Sequence, residues 1–341
     1  MFQPMPAHFF KSKQTLKEWV LQISLLIGLG LVFVWLGHQT WMNLKSRGIQ
    51  SGFDFLFDPA GFDIGETTWI DFDSAESYWV AFAVGLLNTI KVSSLGIAFA
   101  SLLGLALGLA ASSKIWVLKA ICRTYIELIR NVPLLIQLLS WYVLWVEYLP
   151  PASDPLILLQ SLFISQEGLS FSGWVWMIPI NGTFMDGHLW WNTPVVTPDG
   201  VQSALNASPE FLSILMALSV YTSAFIAEIV RAGIASVPKG QVLAAQSIGL
   251  KSAQVNRWIV LPQATRLILP PLTNQYLNLI KNSSLAVAVG FPDLVSIGNT
   301  ALNQTGRAVE CITILMLVYL VLSIVVSFLM NHLGHGFAFK K

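Results

Sequence analysis

Polar side chains recur along an otherwise apolar stretch of the chain. Asn274, Asn278 and Lys281 follow one another at intervals of four and three residues, which places them on one face of a helix. Polar groups within a membrane-spanning segment normally face the interior of a bundle or a water-filled cavity. Such a face could hydrogen-bond a polar solute in a translocation pathway. Hydrogen bonding between packed helices explains the same pattern, and both interpretations stay open.

Further polar residues widen this strip: Gln275, Asn282, Ser283 and Ser284. The segment begins near Pro270-Pro271, which we expect to make the entry of the helix irregular, as is common where a cavity is lined. Lys91 and Glu228 are weaker candidates for the same pathway, since each is ionisable and lies in an apolar segment.

Two Glu-x-x-Arg pairs lie within apolar helical patterns, Glu127 with Arg130 and Glu228 with Arg231. At a spacing of three residues the two side chains meet on one helix face. Structural ion pairing beneath the lipid headgroups explains such pairs. A contact that changes partner as the bundle moves is the functional alternative.

Several kinds of chemistry have no counterpart in the sequence. It contains no Gly-x4-Gly-Lys-Ser/Thr loop for ATP phosphates, and no His-Glu-x-x-His or Gly-x-Ser-x-Gly motif. Cys122 and Cys311 lie in apolar segments without ligand spacing, so we expect buried thiols. We predict a chain without enzymatic activity, cofactor or metal.

The composition indicates a membrane protein. Of 341 residues, 55% are hydrophobic and 11% charged, against about 25% charged in soluble proteins. A spanning helix needs about 20 apolar residues. Six segments meet this need: 19–36, 79–111, 115–146, 211–235, 267–289 and 308–330. No small-x-small cleavage site follows the first, which we interpret as a retained helix. The prediction is an all-α polytopic protein with about six transmembrane helices.

The distribution of charge predicts the orientation. Most of the 19 basic residues lie in the termini and two short connections, as the positive-inside rule expects of cytoplasmic regions. Segments 37–78 and 147–207 are acidic, and the second contains no Lys or Arg. Both termini are therefore predicted to be cytoplasmic and both segments to be outer loops. The net charge of +1 is the sum of two opposed faces and gives no indication of nucleic-acid binding.

The predicted organisation is a basic cytoplasmic tail 1–17, a transmembrane domain 18–335 and a short tail 336–341. Loop 147–207 is long for a connection and contains Trp174, Trp176, Trp190 and Trp191. It could be an aromatic belt over the outer mouth or a docking surface for an extracytoplasmic partner. The two roles are compatible.

A cytoplasmic loop, 236–266, is predicted between the fourth and fifth spans. Pro238 should end the preceding helix, and Gly240 permits a tight turn. A short helix is predicted over 241–248, with Gly249 in a left-handed conformation after it.

A second short helix should follow in this loop. Ser252 is its predicted cap, and Leu261-Pro262 should end it. Two compact helices joined by a glycine would form a rigid joint that protrudes from the membrane.

The loop has the spacing Ala-Ala-x3-Gly-x9-Ile-x-Leu-Pro, from Ala244 to Pro262. This pattern resembles the EAA loop of bacterial ABC importer permeases. Arg130-Asn131-Val132-Pro133 and Lys281-Asn282-Ser283-Ser284 also fit the polar amino-acid permease family. With Ala60-Gly61-Phe62-Asp63 and the long loop, the chain is similar to the Q-type permease of general L-amino-acid transporters.

The resemblance implies a type I ABC importer permease-like bundle in the bacterial inner membrane. It also implies a second permease in a heterodimer, an ATPase dimer that holds ATP and magnesium, a periplasmic amino-acid-binding protein and surrounding lipid. Amides of the polar strip would then meet the α-amino and α-carboxylate groups of the substrate. The implied ATPase-coupling residues are Pro238, Gly240, Gln241, Leu243, Ala244, Ala245, Gly249, Ile259, Leu261 and Pro262.

One position departs from the family pattern. Leu243 stands where the family usually has Glu, so that contact with the ATPase must be apolar or absent. The alternative function is an ATP-independent secondary transporter or channel. A secondary transporter would be expected to show inverted repeats with broken helices in each half.

Overall fold

A computed structural model describes most of the chain. The described residues are 16–46, 48, 51–67, 69–70, 72–158, 161–177, 188–197, 200–203 and 205–337. The predicted tails 1–17 and 336–341 therefore fall almost wholly outside the described residues.

Helices dominate the described residues, which confirms the predicted helical membrane class. Their bounds are α1 Leu16–Ser46, α2 Tyr78–Ala111, α3 Trp116–Asn131, α4 Leu134–Tyr148, α5 Pro209–Ala235, α6 Lys239–Ser247, α7 Ser252–Val255, α8 Leu261–Asn282, α9 Leu294–Thr305 and α10 Ala308–Phe337. A π-helical turn, Asn256–Val260, joins α7 to α8, and a 3-10 helix, Ser283–Val289, follows α8.

The number of possible membrane spans agrees with the expected six. Within the described residues, α1, α2, α5 and α10 are long and apolar enough to cross a bilayer. Two further candidates are bent: α3 and α4 meet at 102°, and the segment 252–289 meets α9 at 54°. Counting each bent pair as one span gives six.

Two of these segments differ from the expected spans. The helix predicted over 115–146 is broken before Pro133, because the residue ahead of a proline avoids the helical region; Val132 is extended, with ψ 126°. The first helix continues to Ser46, ten residues beyond the apolar run. The polar residues after position 36 end the apolar run but do not end the helix, so the apolar run underestimates its length.

The centre of the bundle is the close packing of α2 against α5. A Cβ on Gly104 would lie 2.6 Å from Ile226 Cβ, and one on Gly108 would lie 2.7 Å from Ala227 O. Small residues let membrane helices approach closely, so these glycines set the separation of the two helices. Leu279 of α8 packs on the same helix, 3.4 Å from the Cβ position of Gly96.

The long connection between α4 and α5 carries antiparallel strands, which no sequence pattern predicted. They are β1 Leu156–Leu158, β2 Leu162–Ser165, β3 Gly168–Phe171, β4 Gly173–Met177, β5 His188–Asn192, β6 Val195–Thr197, β7 Gly200–Gln202 and β8 Leu205–Ala207. One sheet has the order β1-β2-β3-β8, while β4–β5 and β6–β7 form two-stranded ladders. The four tryptophans predicted as an aromatic belt lie in β4 and β5.

The two ends of the bundle have different character. We call one the strand end, which carries residues 51–77 and the strands. There Ser208 Oγ donates to Glu66 Oε2 at 2.8 Å. The opposite end, which we call the α6 end, carries the connection 236–260. The predicted outer loops thus share one end, and the predicted cytoplasmic loop lies at the other.

Candidate functional site

The connection after α5 forms a compact helical joint. At the end of α6, Leu250 N donates to Ala245 O at 3.2 Å and Gly249 N donates to Gln246 O at 3.0 Å. These two bonds form a Schellman motif, which needs a residue in the left-handed region. Gly249 supplies it, with φ 88°. The predicted glycine bend is therefore present in the structure.

Two large apolar side chains are exposed in and directly after α6. Leu243 is 61% exposed and Ile248 is 79% exposed. Ala245, in contrast, is buried against the rest of the joint. A contiguous exposed apolar patch can mark an interaction site, so these side chains are candidates for a partner contact. We call Leu243, Ala244 and Ile248 the α6 tip.

The second half of the joint differs from the prediction in two respects. Ser252 is the first residue of α7 rather than its cap; Lys251 precedes the helix, and its N–H donates to Gln254 Oε1 at 2.8 Å. The chain also stays helical through Pro262 instead of breaking there. Leu261 N bonds Asn256 O, five residues back. This wider π turn comes directly before the proline, which itself has no N–H to donate.

Gly240 also differs from its predicted role. It lies inside α6, no atom is within 4 Å of its Cβ position, and it makes no tight turn. Near it, Gln263 Nε2 donates to Gln241 Oε1 at 2.7 Å. This bond ties α6 to the beginning of α8.

The predicted polar strip on α8 is divided by the fold. Asn274, Asn278 and Lys281 are exposed on one face, as their spacing predicted. Gln275 and Asn282 are half-buried. In a bilayer, exposed amides and an ammonium group on a central helix need a polar partner or water. This face is therefore the candidate pathway lining.

The hydroxyls of the two serines at the end of the strip donate to backbone oxygens of the same segment. Ser283 is buried and its hydroxyl donates to Ile280 O at 2.7 Å, while Ser284 donates to Lys281 O at 2.7 Å. Pro270 and Pro271 lie inside α8 rather than at an irregular entry. The helix accommodates them because neighbouring helices can compensate for missing backbone bonds.

Lys91 lies at the strand end. Its Nζ is 2.8 Å from Glu66 Oε1 and 4.4 Å from the centre of the Phe211 ring. Asn88 Nδ2 donates to the backbone oxygens of Glu66 and Pro292 at 2.9 and 3.0 Å. Lys91 thus helps to hold the segment 51–77 against the bundle. The sequence did not single out Glu66, because it is one of many acids in that segment.

Glu228 forms the ion pair that its spacing predicted. Arg231 Nε and Nη2 donate to the two carboxylate oxygens at 2.8 and 2.6 Å. The second Glu-x-x-Arg pair behaves differently, since Arg130 lies over the Phe225 ring at 5.0 Å. Arg231 lies in the second half of α5, toward the α6 end, whereas Arg130 lies in the last turn of α3.

A second cluster at the strand end went unrecognised in the sequence. Arg307 donates to both carboxylate oxygens of Asp54, at 2.6 and 3.0 Å, and to Gly52 O at 2.5 Å. Gly52 N in turn donates to Glu310 Oε1 at 2.8 Å. The partners are more than 250 residues apart, so no local pattern could indicate them.

Comparison with known proteins agrees with this geometry. Residues 96–338 match the family described as binding-protein-dependent transport system inner membrane component. The general L-amino acid transport system permease protein AapQ of Rhizobium johnstonii is 38% identical over 92% of this chain and 89% of its own length. The glutamate/glutamine/aspartate/asparagine transport system permease protein BztB of Rhodobacter capsulatus is 31% identical over 94% of this chain and 93% of its own length.

Solved structures give the same result for the fold. A crystal structure of an amino acid ABC transporter with histidines has a TM-score of 0.54 and 28% identity, over 76% of this chain and 94% of that chain. The inward-facing MetNI methionine ABC transporter has a TM-score of 0.50 and 14% identity, over 76% of this chain and 97% of that chain. At that identity the second likeness concerns the fold alone.

Proposed function

Because the chain belongs to the family of binding-protein-dependent transport system inner membrane components, we propose that it forms half of the pathway of an ATP-driven amino-acid importer. The ATPase is a separate subunit in this family. The observation that carries the proposal is the α6–Gly249–α7 joint, in which two short helices meet at a Schellman bend and Leu243 and Ile248 are exposed. One relative is named for general L-amino acids and another for glutamate, glutamine, aspartate and asparagine, and these names support amino acids as the substrate class.

The α6 tip docks into a groove of the ATPase. Leu243 is exposed and lies where the family pattern usually has an acid, so this contact is apolar. Burying a leucine contributes about 1.5–3 kcal/mol. The Gly249 bend keeps α6 at a fixed angle, and the Gln241–Gln263 bond passes its movement to α8.

The exposed α8 face lines the pathway. Asn278 and Asn274 offer both donors and acceptors, which suits the ammonium and carboxylate groups of an amino acid. Lys281, at the strand end of the face, adds a positive charge for the carboxylate. A second permease subunit closes the other side of the pathway, in a heterodimer.

The orientation follows the distribution of charge. Both termini and the α6 end face the cytoplasm, and the strand end faces the periplasm. A binding protein then delivers substrate over the strands of 147–207. The ATPase dimer binds ATP and magnesium, and its movement exposes the α8 face alternately to the two sides. Net transport requires that the two states bind the substrate with different affinity.

The sequence left open an ATP-independent carrier or channel. No feature of the described residues favours that function, and the family is one of binding-protein-dependent systems.

The test is co-purification of the ATPase with a tagged form of this chain, expressed with its chromosomal neighbours in mild detergent. We expect the ATPase and a second permease to be recovered. A Leu243→Ser variant should retain about tenfold less ATPase, since about 1.4 kcal/mol changes affinity tenfold. Leu267→Ser is the control, because Leu267 is comparably exposed but lies on α8 outside the joint.

Two results of this experiment would contradict the proposal. Recovery of this chain alone, as a stable homo-oligomer that transports without ATP, would contradict it. Equal ATPase recovery with Leu243→Ser and with the unaltered chain would contradict the docking role of the α6 tip.

A further inference from the structure

A cavity lies between α5 and α8 near the α6 end of the bundle. Its volume is about 390 Å3, and it is lined by five residues within 228–236 of α5 and by Leu267 and Pro271 of α8. The two helices are in close contact beside it, since a Cβ on Gly233 would clash with Ile268. Glu228 is the ionisable residue of its lining.

The α8 wall of this cavity continues the polar strip. Leu267, Pro271, Asn274, Asn278 and Lys281 follow one another at intervals of four, three, four and three residues, so they share one helix face. Between Pro271 and Lys281 the helix rises ~15 Å, at about 1.5 Å per residue. The cavity is therefore a separate position on the candidate pathway face, beyond the reach of a small solute held at Lys281.

The α5 wall carries the ion pair of Glu228 with Arg231, whose hydrogen-bonding capacity is only partly used. Arg231 donates one bond to each carboxylate oxygen, at 2.8 and 2.6 Å. A carboxylate has about four acceptor positions and a guanidinium has five N–H donors, so both groups can form further bonds. The side chain of Glu228 is 33% exposed and that of Arg231 is 28% exposed.

The position of this pair is poorly explained by stability. Both partners lie on α5, so their bond joins no two elements of the fold. Charged groups within a membrane-spanning segment are costly, and they commonly mark the path of a polar substrate. A pair that contributes little to packing and borders a cavity on the pathway face is therefore a candidate for substrate contact.

We propose that this cavity is an inner site of the pathway, which binds the zwitterionic head of an α-amino acid. Glu228 accepts hydrogen bonds from the ammonium group, and Arg231 donates to the carboxylate. The pair presents opposite charges side by side, as the zwitterion does. Ile229, Leu267 and Pro271 offer apolar surface to the side chain. This inference rests on the proposed importer function and adds a second binding position to it.

Weak binding suits a site at this end of the pathway. Glu228 and Arg231 already satisfy each other, so a substrate that binds them gains less than it would from two unpaired charges. In the orientation proposed above the α6 end faces the cytoplasm, where the substrate must be released. Net transport requires lower affinity in the state that releases the substrate.

The charge around the pair also predicts a preference among side chains. Glu228 is within electrostatic reach of Arg130 and Arg123 of α3. Within the described part of the chain, neither of these arginines forms an ion pair. With Arg231 and the exposed Glu127 of α3, three cations face two anions, which leaves a net charge of +1. The site should therefore favour acidic over basic amino acids.

The experiment measures whether an amino acid protects the cavity from a thiol reagent. Ser236→Cys places a thiol in the wall, since Ser236 is exposed and lines the cavity, while Cys122 and Cys311 are buried. The assembled complex in mild detergent is treated with a maleimide, with and without L-glutamine. The pair contacts groups that all α-amino acids share, so L-glutamine is a suitable probe whichever side chain is preferred. We expect saturating L-glutamine to slow the labelling at least fivefold.

A second cysteine variant provides the control. Ser112 is exposed at the α6 end of α2 and lies outside the cavity. Labelling of Ser112→Cys should not depend on the amino acid.

Analogues of the probe test the recognition of the two charges. N-acetyl-L-glutamine lacks the ammonium group and L-glutamine methyl ester lacks the carboxylate, so each should protect at least tenfold less well than L-glutamine. L-Glutamate should protect at lower concentration than L-arginine. Glu228→Gln, combined with Ser236→Cys, should abolish protection, whereas Glu127→Gln should retain it.

Absence of protection by L-glutamine would overturn the proposal. Equal protection by both analogues would overturn it as well, even if Glu228→Gln failed to assemble. Uptake of L-amino acids by the same complex in proteoliposomes is measured separately. Normal uptake without protection would contradict the inner site alone, whereas protection without ATP-driven uptake would support the site and contradict the importer function.

Discussion

Lys91 Nζ lies 2.8 Å from Glu66 Oε1, and Ser208 Oγ lies 2.8 Å from the other oxygen of the same carboxylate. One acid thus connects the segment 51–77 to α2 and to the beginning of α5. Both charged side chains of the pair are only 16% exposed, so the pair is partly desolvated. Lys91 therefore helps to hold the segment 51–77, and its place in the pathway stays a prediction.

Removing one partner of this pair should destabilise the strand end. We expect Lys91→Met to lower the free energy of unfolding by about 2 kcal/mol, between the values for exposed and fully buried pairs. Glu66→Gln should cost about as much, and the double variant should cost less than the sum of the two. Thermal unfolding of the purified protein measures all three. Glu76→Gln, an exposed acid of the same segment, is the control, and strictly additive costs would contradict the coupling.

The Gly249 bend should be essential for coupling. Gly249→Pro cannot adopt φ 88°, and it removes the N–H that bonds Gln246 O. We expect normal insertion in the membrane but loss of ATP-driven uptake. Gly249→Ala should have a smaller effect, with a backbone cost of about 1–2 kcal/mol. Uptake in proteoliposomes containing the complete transporter measures both.

Gly240→Ala provides the matched control for this glycine. Gly240 lies within α6 with open space around its Cβ position, so alanine should favour the helix by up to about 1 kcal/mol. Uptake should be unchanged. Normal uptake by Gly249→Pro would contradict a role of the joint in coupling.

The ion pair of Asp54 with Arg307 should make the stability of the protein depend on pH in the acid range. Hydrogen bonds from the Arg307 guanidinium lower the pKa of the Asp54 carboxyl below its ordinary value of 3.8. A lowered acid pKa contributes stability above the ordinary value, and that contribution is lost as the pH falls through the lowered value. The stability difference between the unaltered chain and Asp54→Asn should therefore be constant from about pH 5 to 8 and shrink only below about pH 4.

Unfolding of the two proteins across this pH range provides the measurement, and Asp58→Asn, also exposed in the same segment, is the control. A difference that shrank near neutral pH would show that another group is responsible.

Local patterns predicted the parts of this fold that local chemistry determines. The bend at Gly249 and the shared face of Asn274 and Asn278 follow from one residue type and one spacing. The predictions made at two prolines were both wrong. Pro133 breaks an expected span, whereas Pro262 lies within a continuous helix because a π turn precedes it.

The strands between α4 and α5 were not predictable in the same way. Each is three to five residues long, too short for an alternating pattern to stand out. Contacts such as Arg307 with Asp54 join distant parts of the chain. They depend on how the helices pack, which no local pattern determines.

The exposed face of α8 makes the sharpest test of the pathway. Asn278→Leu would replace an exposed amide by an apolar side chain of similar size on that face. We expect assembly with the ATPase to remain normal and uptake to fall at least tenfold, a loss of about 1.4 kcal/mol or more in substrate interaction. Radiolabelled amino-acid uptake, normalised to co-purified ATPase, measures the effect. Thr265→Val is the control, since its hydroxyl donates to Leu261 O on its own helix, at 2.7 Å. Equal uptake by the two variants would mean that Asn278 packs against a neighbouring helix, and the pathway would have to lie on a different face of the bundle.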